Sequence, residues 1–310
     1  MKRTFKNKAK TILRILFNLG QHIGLDILPR HFYSQIPDMR ELSKNTSWKR
    51  PTDMSYVEGS SIADVTANFS SLFSVNSDIK LQSLHSEAIR SSSYEGGFGD
   101  IESCVLYRFI ISKNPKNIVQ VGCGVSTLVI LKAIEEYSLD VNLTCIEPYP
   151  NESLKKLHAI GKVNLIEEKA QDLNNIKNLL SSDELNFLFV DSTHSVQPGS
   201  EVNKIVLEWL AEMPENSYIH FHDIYFPYEY QRELLTKELF FSSETTLLLA
   251  FLKFNTKFSI FTSLSMIHYE RPEIIKKYLP HYQPIGNDQG LEIPDSGKHF
   301  PSSLYLHKQK

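Results

Sequence analysis

Cysteine is scarce. Only Cys104, Cys123 and Cys145 occur in 310 residues, with no CxxC pair and no even framework, so the sequence suggests neither disulfides nor a thiolate zinc site. A reducing, cytosolic compartment is the expectation. Long apolar runs are also missing. A membrane-spanning helix needs about 18 to 20 apolar residues in succession, and the short stretch Ile12 to Leu19 is interrupted by Arg14 and Asn18, with no small-residue cleavage site after it. The chain reads as neither exported nor membrane-spanning. Nor is there an excess of positive charge: 33 Lys and Arg face 36 Asp and Glu, a net charge of -3, which gives no global footprint for nucleic acid. A small-molecule or glycan substrate fits better, and self-association into a homo-oligomer is left open.

What is present is a chain with 41% hydrophobic residues, enough for a full α/β core plus appendages. Its front end is a separate electrostatic object, because residues 1 to 50 hold eleven Lys or Arg against Asp26, Asp38 and Glu41. Phe5, Ala9, Ile12, Leu16, Leu19 and Ile23 recur at helical spacing, with Lys6, Lys8, Lys10 and Arg14 on other faces. That predicts a basic amphipathic helix. It either packs on the catalytic domain, the preferred reading, or docks peripherally on an anionic membrane surface.

Residues 30 to 60 read as irregular, followed by helices over 62–73 and 79–89 and a mobile glycine-rich turn over 91–100. From about residue 101 helical and strand patterns alternate: helix 101–111, strand 117–122, helix 127–137, strand 141–147, helix 152–160, strand 163–167, strand 185–191, helix 201–211 and strand 218–222. Ser200 is the expected cap of the 201–211 helix, with Val206, Leu207 and Trp209 as its core residues. Such alternation demands a mainly parallel sheet with helices on both faces. The predicted division is a helical or irregular extension over 1–92 and a catalytic domain over 93–310.

Two strand ends carry chemistry. The segment Ile118-Val-Gln-Val-Gly-Cys-Gly-Val-Ser-Thr ends a strand, turns through Gly122 and Gly124 and opens a helix, the geometry for close backbone approach to a ligand. A dinucleotide loop would want a third glycine where Thr127 stands, so NAD is disfavoured. Glu147, ending the second strand, can accept hydrogen bonds from two ribose hydroxyls. Further on, Leu188-Phe-Val-Asp-Ser-Thr-His194 and Ile219-His-Phe-His-Asp223 each place a carboxylate and an imidazole at a strand end. If those strands are neighbours, Asp191, His194, His222 and Asp223 converge on one cleft. Strand-end aspartates can instead cap the following helices, and His220 reads as a locally satisfied core residue. Phe226, Pro227, Tyr228 and Tyr230 form an aromatic loop that suits either a sugar ring or packing.

The glycine loop, Glu147, Gln171 with Asp172 after the third strand, and Asp191 after the fourth together resemble the class I S-adenosylmethionine (SAM) dependent methyltransferases. The resemblance is closer to a bacterial group with segments like residues 97–102 (Gly-Phe-Gly-Asp-Ile-Glu), 220–230 (His-Phe-His-Asp-Ile-Tyr-Phe-Pro-Tyr-Glu-Tyr) and 29–38 (Pro-Arg-His-Phe-Tyr-Ser-Gln-Ile-Pro-Asp). It implies a Rossmann-like α/β fold with a seven-stranded sheet whose last strand, near 303–307, runs antiparallel. It also implies SAM as cofactor, bordered by Gly122, Cys123, Gly124, Ser126, Thr127 and Asp191, with Glu147 on the ribose and Gln171 or Asp172 on the adenine. Gln120 stands where many members have an acid, and can still accept a hydrogen bond.

The group includes relatives of metal-dependent natural-product sugar O-methyltransferases. Carried over, Asp191 and Asp223, with His222 beside them, would bind Mg2+ or another divalent cation, and His194 or Asp191 would take the acceptor proton. Two other readings remain at this point: a metal-dependent hydrolase or hydroxylase using the same four residues, and a non-catalytic binding protein.

Overall fold

The computed structural model describes residues 2–75, 81–90, 97–230, 235, 236, 238–284 and 298–310. The 91–96 part of the expected glycine-rich turn lies outside the described residues. The chain divides into two compact units, Met1–Thr46 and Ser47–Lys310. In the first, helix Lys2–His22 bears out the amphipathic pattern, and Ile12, Ile15, Leu16, Leu19 and Ile23 along and after it are exposed. Residues 39–44, read as irregular, form a helix instead. Asp38 caps it by accepting the Arg40 N–H at 2.9 Å, a local signal that outweighs the polar, proline-flanked composition.

The second unit is built on a seven-stranded sheet of β1 (Asn117–Val121), β2 (Asn142–Ile146), β3 (Asn164–Ile166), β4 (Asn186–Val190), β5 (Tyr218–Phe221), β6 (Phe258–Ser263) and β7 (Leu304–Lys308). Their order is β3-β2-β1-β4-β5-β7-β6. The first five strands pair in parallel, and β7 runs antiparallel to both β5 and β6. The expected antiparallel last strand is thus present, one residue later than anticipated. All five residues of β4 are buried, as a central parallel strand covered on both faces requires. Strand order reverses between β1 and β4, which opens a crevice at their carboxyl ends.

Helix Asp100–Lys113 is buried on nearly every side, from Ile101 to Ile111. Its Phe109 ring lies 4.7 Å from that of Phe187 and 4.9 Å from that of Tyr305; truncating such a ring costs about 3 to 5 kcal/mol. The helix stops at Asn114 in a left-handed conformation, φ 48°, directly before Pro115. Helix Val125–Glu136 packs beside it, and helices Ile62–Ser71 and Leu81–Arg90 pack against β6 and Asp100–Lys113 respectively.

The 201–212 stretch holds one departure. Ser200 caps it as expected, accepting the Asn203 N–H at 3.3 Å, and Val206 and Trp209 are core. Leu207, also expected inside, is 63% exposed. Residues Ile205–Trp209 form a π-helical turn, whose wider spacing swings position 207 outward while Ile205 and Trp209 stay in. Residues 231–302 carried no predicted elements. They supply β6 and helices Glu244–Leu252, Leu264–Glu270 and Pro272–Tyr278. Among the described residues no helix is long and apolar enough to cross a membrane.

Candidate functional site

β1, β2, β4 and β5 deliver their carboxyl ends to the same edge of the sheet, and the sequence-predicted residues sit there. Gly122 takes φ +80°, and a Cβ on it would lie 1.7 Å from the Asp191 carbonyl oxygen. Only glycine fits, because β1 and the turn after β4 touch backbone to backbone at this point. The Asp191 N–H donates to Val121 O at 3.0 Å, fastening the two ends together.

Beyond Gly122 the loop feeds helix Val125–Glu136. Thr127 is fully buried, and its Oγ1 accepts the Gly124 N–H at 3.2 Å, so it holds the turn. Glu147 accepts the Cys123 N–H through Oε2 at 3.3 Å and the Tyr149 N–H through Oε1 at 3.0 Å. Both carboxylate oxygens keep further lone pairs. Buried Gln120 donates through Nε2 to Gly122 O and to Ser126 Oγ at 3.0 and 2.9 Å. Its Oε1 is left as a buried acceptor with no partner. Gln171 and Asp172 lie in a short 3-10 turn after β3, the first half-buried and the second exposed.

The pairing of β4 with β5 brings the four strand-end residues together. His222 Nδ1 is 3.3 Å from Asp191 Oδ1 and 3.7 Å from Asp223 Oδ2. His194 Nε2 is 3.6 Å from Asp191 Oδ1 and 3.8 Å from Asp223 Oδ2. One nitrogen of each imidazole thus faces both aspartates. Among the described residues neither aspartate caps a helix: Ser200 caps the segment after Asp191, and Asp223 Oδ1 accepts the Ser302 hydroxyl at 2.8 Å. His194 and Asp223 both have left-handed backbones, φ 58° and 53°, uncommon for side-chain-bearing residues and concentrated at working sites.

Two buried carboxylates that sequence reasoning did not single out stand behind the histidines. Glu244, at the start of its helix, has Oε2 2.7 Å from His194 Nδ1. Glu102 has Oε1 3.1 Å from His222 Nε2, and the same oxygen accepts the Ser302 N–H at 2.9 Å. Glu102 closes the Gly-Phe-Gly-Asp-Ile-Glu segment, so a signal existed for it. Glu244 had none, since nothing in the sequence ties it to His194 fifty residues away.

Four carboxylates around two imidazoles dominate the electrostatics. Burial disfavours the imidazolium of His194, but its hydrogen bonds to Asp191 and Glu244 and the charges of Glu244 and Asp223 outweigh this and raise its pKa to about 10. His222 is raised for the same reason: burial opposes its charge, and Asp223, Asp191 and Glu102 overcome the penalty. Burial alone would lift Asp191 and Glu102, yet the facing histidines hold both below the ordinary carboxylate range. His220 goes the other way. It is fully buried, stacked on Phe189 with centroids 4.3 Å apart and 2.9 Å from Ser303 Oγ, and burial together with the His222 charge pushes its pKa well down. It is a neutral core residue, as expected.

The aromatic loop after Asp223 is mostly packed inward. Phe226 is fully buried, and Tyr228, 7% exposed, meets Tyr269 edge-on with centroids 4.7 Å apart. Those two rings serve the core.

Residues 119–224 match a family model described as a methyltransferase domain. A protein of Archaeoglobus fulgidus described as uncharacterized is 24% identical over 185 residues, covering 55% of this chain and 81% of that protein. Among solved structures, similarity extends to the O-methyltransferase TomG from Streptomyces achromogenes, in complex with SAM (14% identity, 80% of this chain and 96% of that one, TM-score 0.43). It extends also to the SAH-bound methyltransferase PaMTH1 of Podospora anserina (13% identity, 81% and 97% coverage, TM-score 0.39). The matched segment holds the glycine loop, Glu147 and both histidine–aspartate strand ends, within a seven-stranded sheet that closes on an antiparallel strand; over these residues the chain is similar to methyltransferase domains.

Proposed function

We propose that this chain is a class I SAM-dependent methyltransferase that acts on a hydroxyl oxygen of a small molecule, of the sugar or natural-product kind, with a divalent cation held beside the acceptor. One observation carries the reading. Each imidazole has its outer nitrogen beside a buried carboxylate, hydrogen-bonded to Glu244 at 2.7 Å for His194 and at an ion-pair separation of 3.1 Å from Glu102 for His222, and presents its inner nitrogen to Asp191 and Asp223. That carboxylate–histidine arrangement orients metal-ligating histidines in general. Mixed nitrogen and oxygen donors suit a first-row transition ion at least as well as Mg2+. Asp191, His222 and Asp223 would hold the cation, which would lower the pKa of an alcohol nearby. His194 Nε2 faces the same space and is positioned to take the alcohol proton. It must first lose its own, and positive charge placed among the carboxylates would favour that loss.

SAM supplies an electrophilic methyl group. The residues that would border it are Gly122, Cys123, Gly124, Ser126, Thr127 and Asp191 around the β1 turn, Glu147 at β2, and Gln171 or Asp172 after β3. The partnerless Gln120 Oε1 fits an ammonium donor such as the one SAM carries. A calorimetric titration tests the assignment. Wild-type protein should bind SAM with one site per chain, and Glu147→Ala should weaken binding by about 1 to 3 kcal/mol, the scale of a lost charge-assisted hydrogen bond. Unchanged affinity in that variant would remove Glu147 from the cofactor site.

A further inference from the structure

The helix that carries Glu102 also begins a second cluster. Asp100 and Cys104 stand one turn apart on helix Asp100–Lys113 and share a face. His281, in the turn after helix Pro272–Tyr278, reaches them from 177 residues further along the chain. Its Nε2 lies 3.3 Å from Asp100 Oδ2 and 3.8 Å from Cys104 Sγ, and Sγ lies 4.0 Å from Asp100 Oδ1. A tetrahedral zinc ion, with ligand bonds of about 2.0 to 2.3 Å, spaces its donor atoms roughly 3.3 to 3.6 Å apart. The separations of His281 Nε2 from Asp100 Oδ2 and from Cys104 Sγ lie within a few tenths of an ångström of that range, and one ligand atom from each of the three residues lies within 4.8 Å of the other two.

His299 flanks this cluster from outside. Its Nδ1 accepts the Gln283 N–H at 2.9 Å, which leaves the ring proton on Nε2, 3.8 Å from Asp100 Oδ2. It therefore turns an N–H toward Asp100 at ion-pair range, beyond hydrogen-bond length, and is not a fourth ligand. Cys104 is fully buried with its thiol directed at the Leu81 carbonyl, 3.2 Å away. Leu81 and His281 both line a surface groove of about 440 Å³, together with Ser83 and Tyr278, so the cluster has a path to solvent.

We propose that Asp100, Cys104 and His281 bind a zinc ion that pins the 279–283 turn to the start of helix Asp100–Lys113. Sulfur beside nitrogen and oxygen selects zinc over Mg2+, and the fourth position is open to water. Binding forms the zinc–sulfur bond and releases the thiol proton to solvent. The cluster is separate from the histidine–aspartate pair at the β4 and β5 ends, whose ligands include no sulfur.

Cobalt(II) substitution tests this, because a thiolate–cobalt bond gives a near-ultraviolet charge-transfer band that nitrogen and oxygen ligands do not. Chelator-stripped full-length protein carrying Asp191→Asn, which disables the other cluster, should take up one cobalt per chain with that band and with the intense visible bands of tetrahedral geometry. Cys104→Ser in the same background should abolish the charge-transfer band while the far-ultraviolet circular dichroism and melting temperature stay those of the Asp191→Asn parent, the control for folding. His281→Gln, at a less buried position, should weaken cobalt affinity roughly tenfold or more. Absence of the band in the stripped protein overturns the proposal, as does a band that survives Cys104→Ser.

Discussion

Replacing His194 with alanine is expected to lower turnover about a hundredfold to ten-thousandfold, the range for a lost general base, while SAM affinity stays nearly constant. The asymmetry follows from position: the inner nitrogen of His194 faces Asp191 and Asp223, whereas most of the residues proposed to border SAM follow β1, β2 and β3. His194 has a left-handed backbone, a conformation whose cost histidine and alanine both bear and which histidine tolerates somewhat better. His194→Asn is the companion variant, because asparagine tolerates that conformation. Single-turnover kinetics and metal content should be measured together. A slow step with full metal content makes His194 a base, whereas loss of metal alongside activity makes it a ligand. Turnover within a few-fold of wild type in both variants would remove it from the chemistry. Glu244→Gln keeps the shape behind His194 but removes its charge, and should lower turnover about tenfold or more.

The second large effect is expected at the aspartates. Asp191→Asn and Asp223→Asn each preserve side-chain shape and remove a charged oxygen donor, so activity should come to depend on added divalent cation, with apparent cation affinity reduced about a hundredfold or more. Asparagine suits the left-handed backbone of Asp223, so that variant changes charge with little cost to the fold. Wild-type enzyme in excess EDTA should lose activity and regain it on addition of Mn2+ or Mg2+. Full activity in EDTA would exclude the cation and leave direct proton abstraction by Asp191 or His194, while the methyltransferase assignment would stand.

Much of the sheet was legible because parallel strands buried on both faces read as continuous apolar runs. Asn-Phe-Leu-Phe-Val of β4 and Asn-Ile-Val-Gln-Val of β1 are of this kind, each followed by a polar or glycine turn. The site residues were legible where strand-end chemistry is local, as in Asp191 with His194 and His222 with Asp223. What was not legible depended on distant partners. Glu244 is an ordinary first-turn acid until the fold sets it 2.7 Å from His194, and Leu207 obeys helical spacing that a π turn locally breaks. β6 was missed because all but one of its six residues are buried, which erases the alternation that marks a strand, and apolar helices flank it. The cluster at Asp100, Cys104 and His281 escaped for a related reason: metal spacing rules look for neighbours in sequence, and this set is split between a helix start and a remote turn.

The link between Glu102 and Ser302 spans 200 residues, and closing a flexible loop of that length costs about 5 kcal/mol of chain entropy. No local helix or hairpin can offset that cost alone. The contact therefore forms only together with β7, which Ser302 and Ser303 precede and which pairs on both sides, between β5 and β6. Until that strand inserts, Glu102 lacks the amide that helps hold it beside His222. The competent site and the closed sheet thus arise in one cooperative event. Native-state hydrogen exchange should report this directly: the Ser302 amide is expected to exchange only through the global opening that also exposes β5 amides, and faster exchange at Ser302 would show that the site opens by itself.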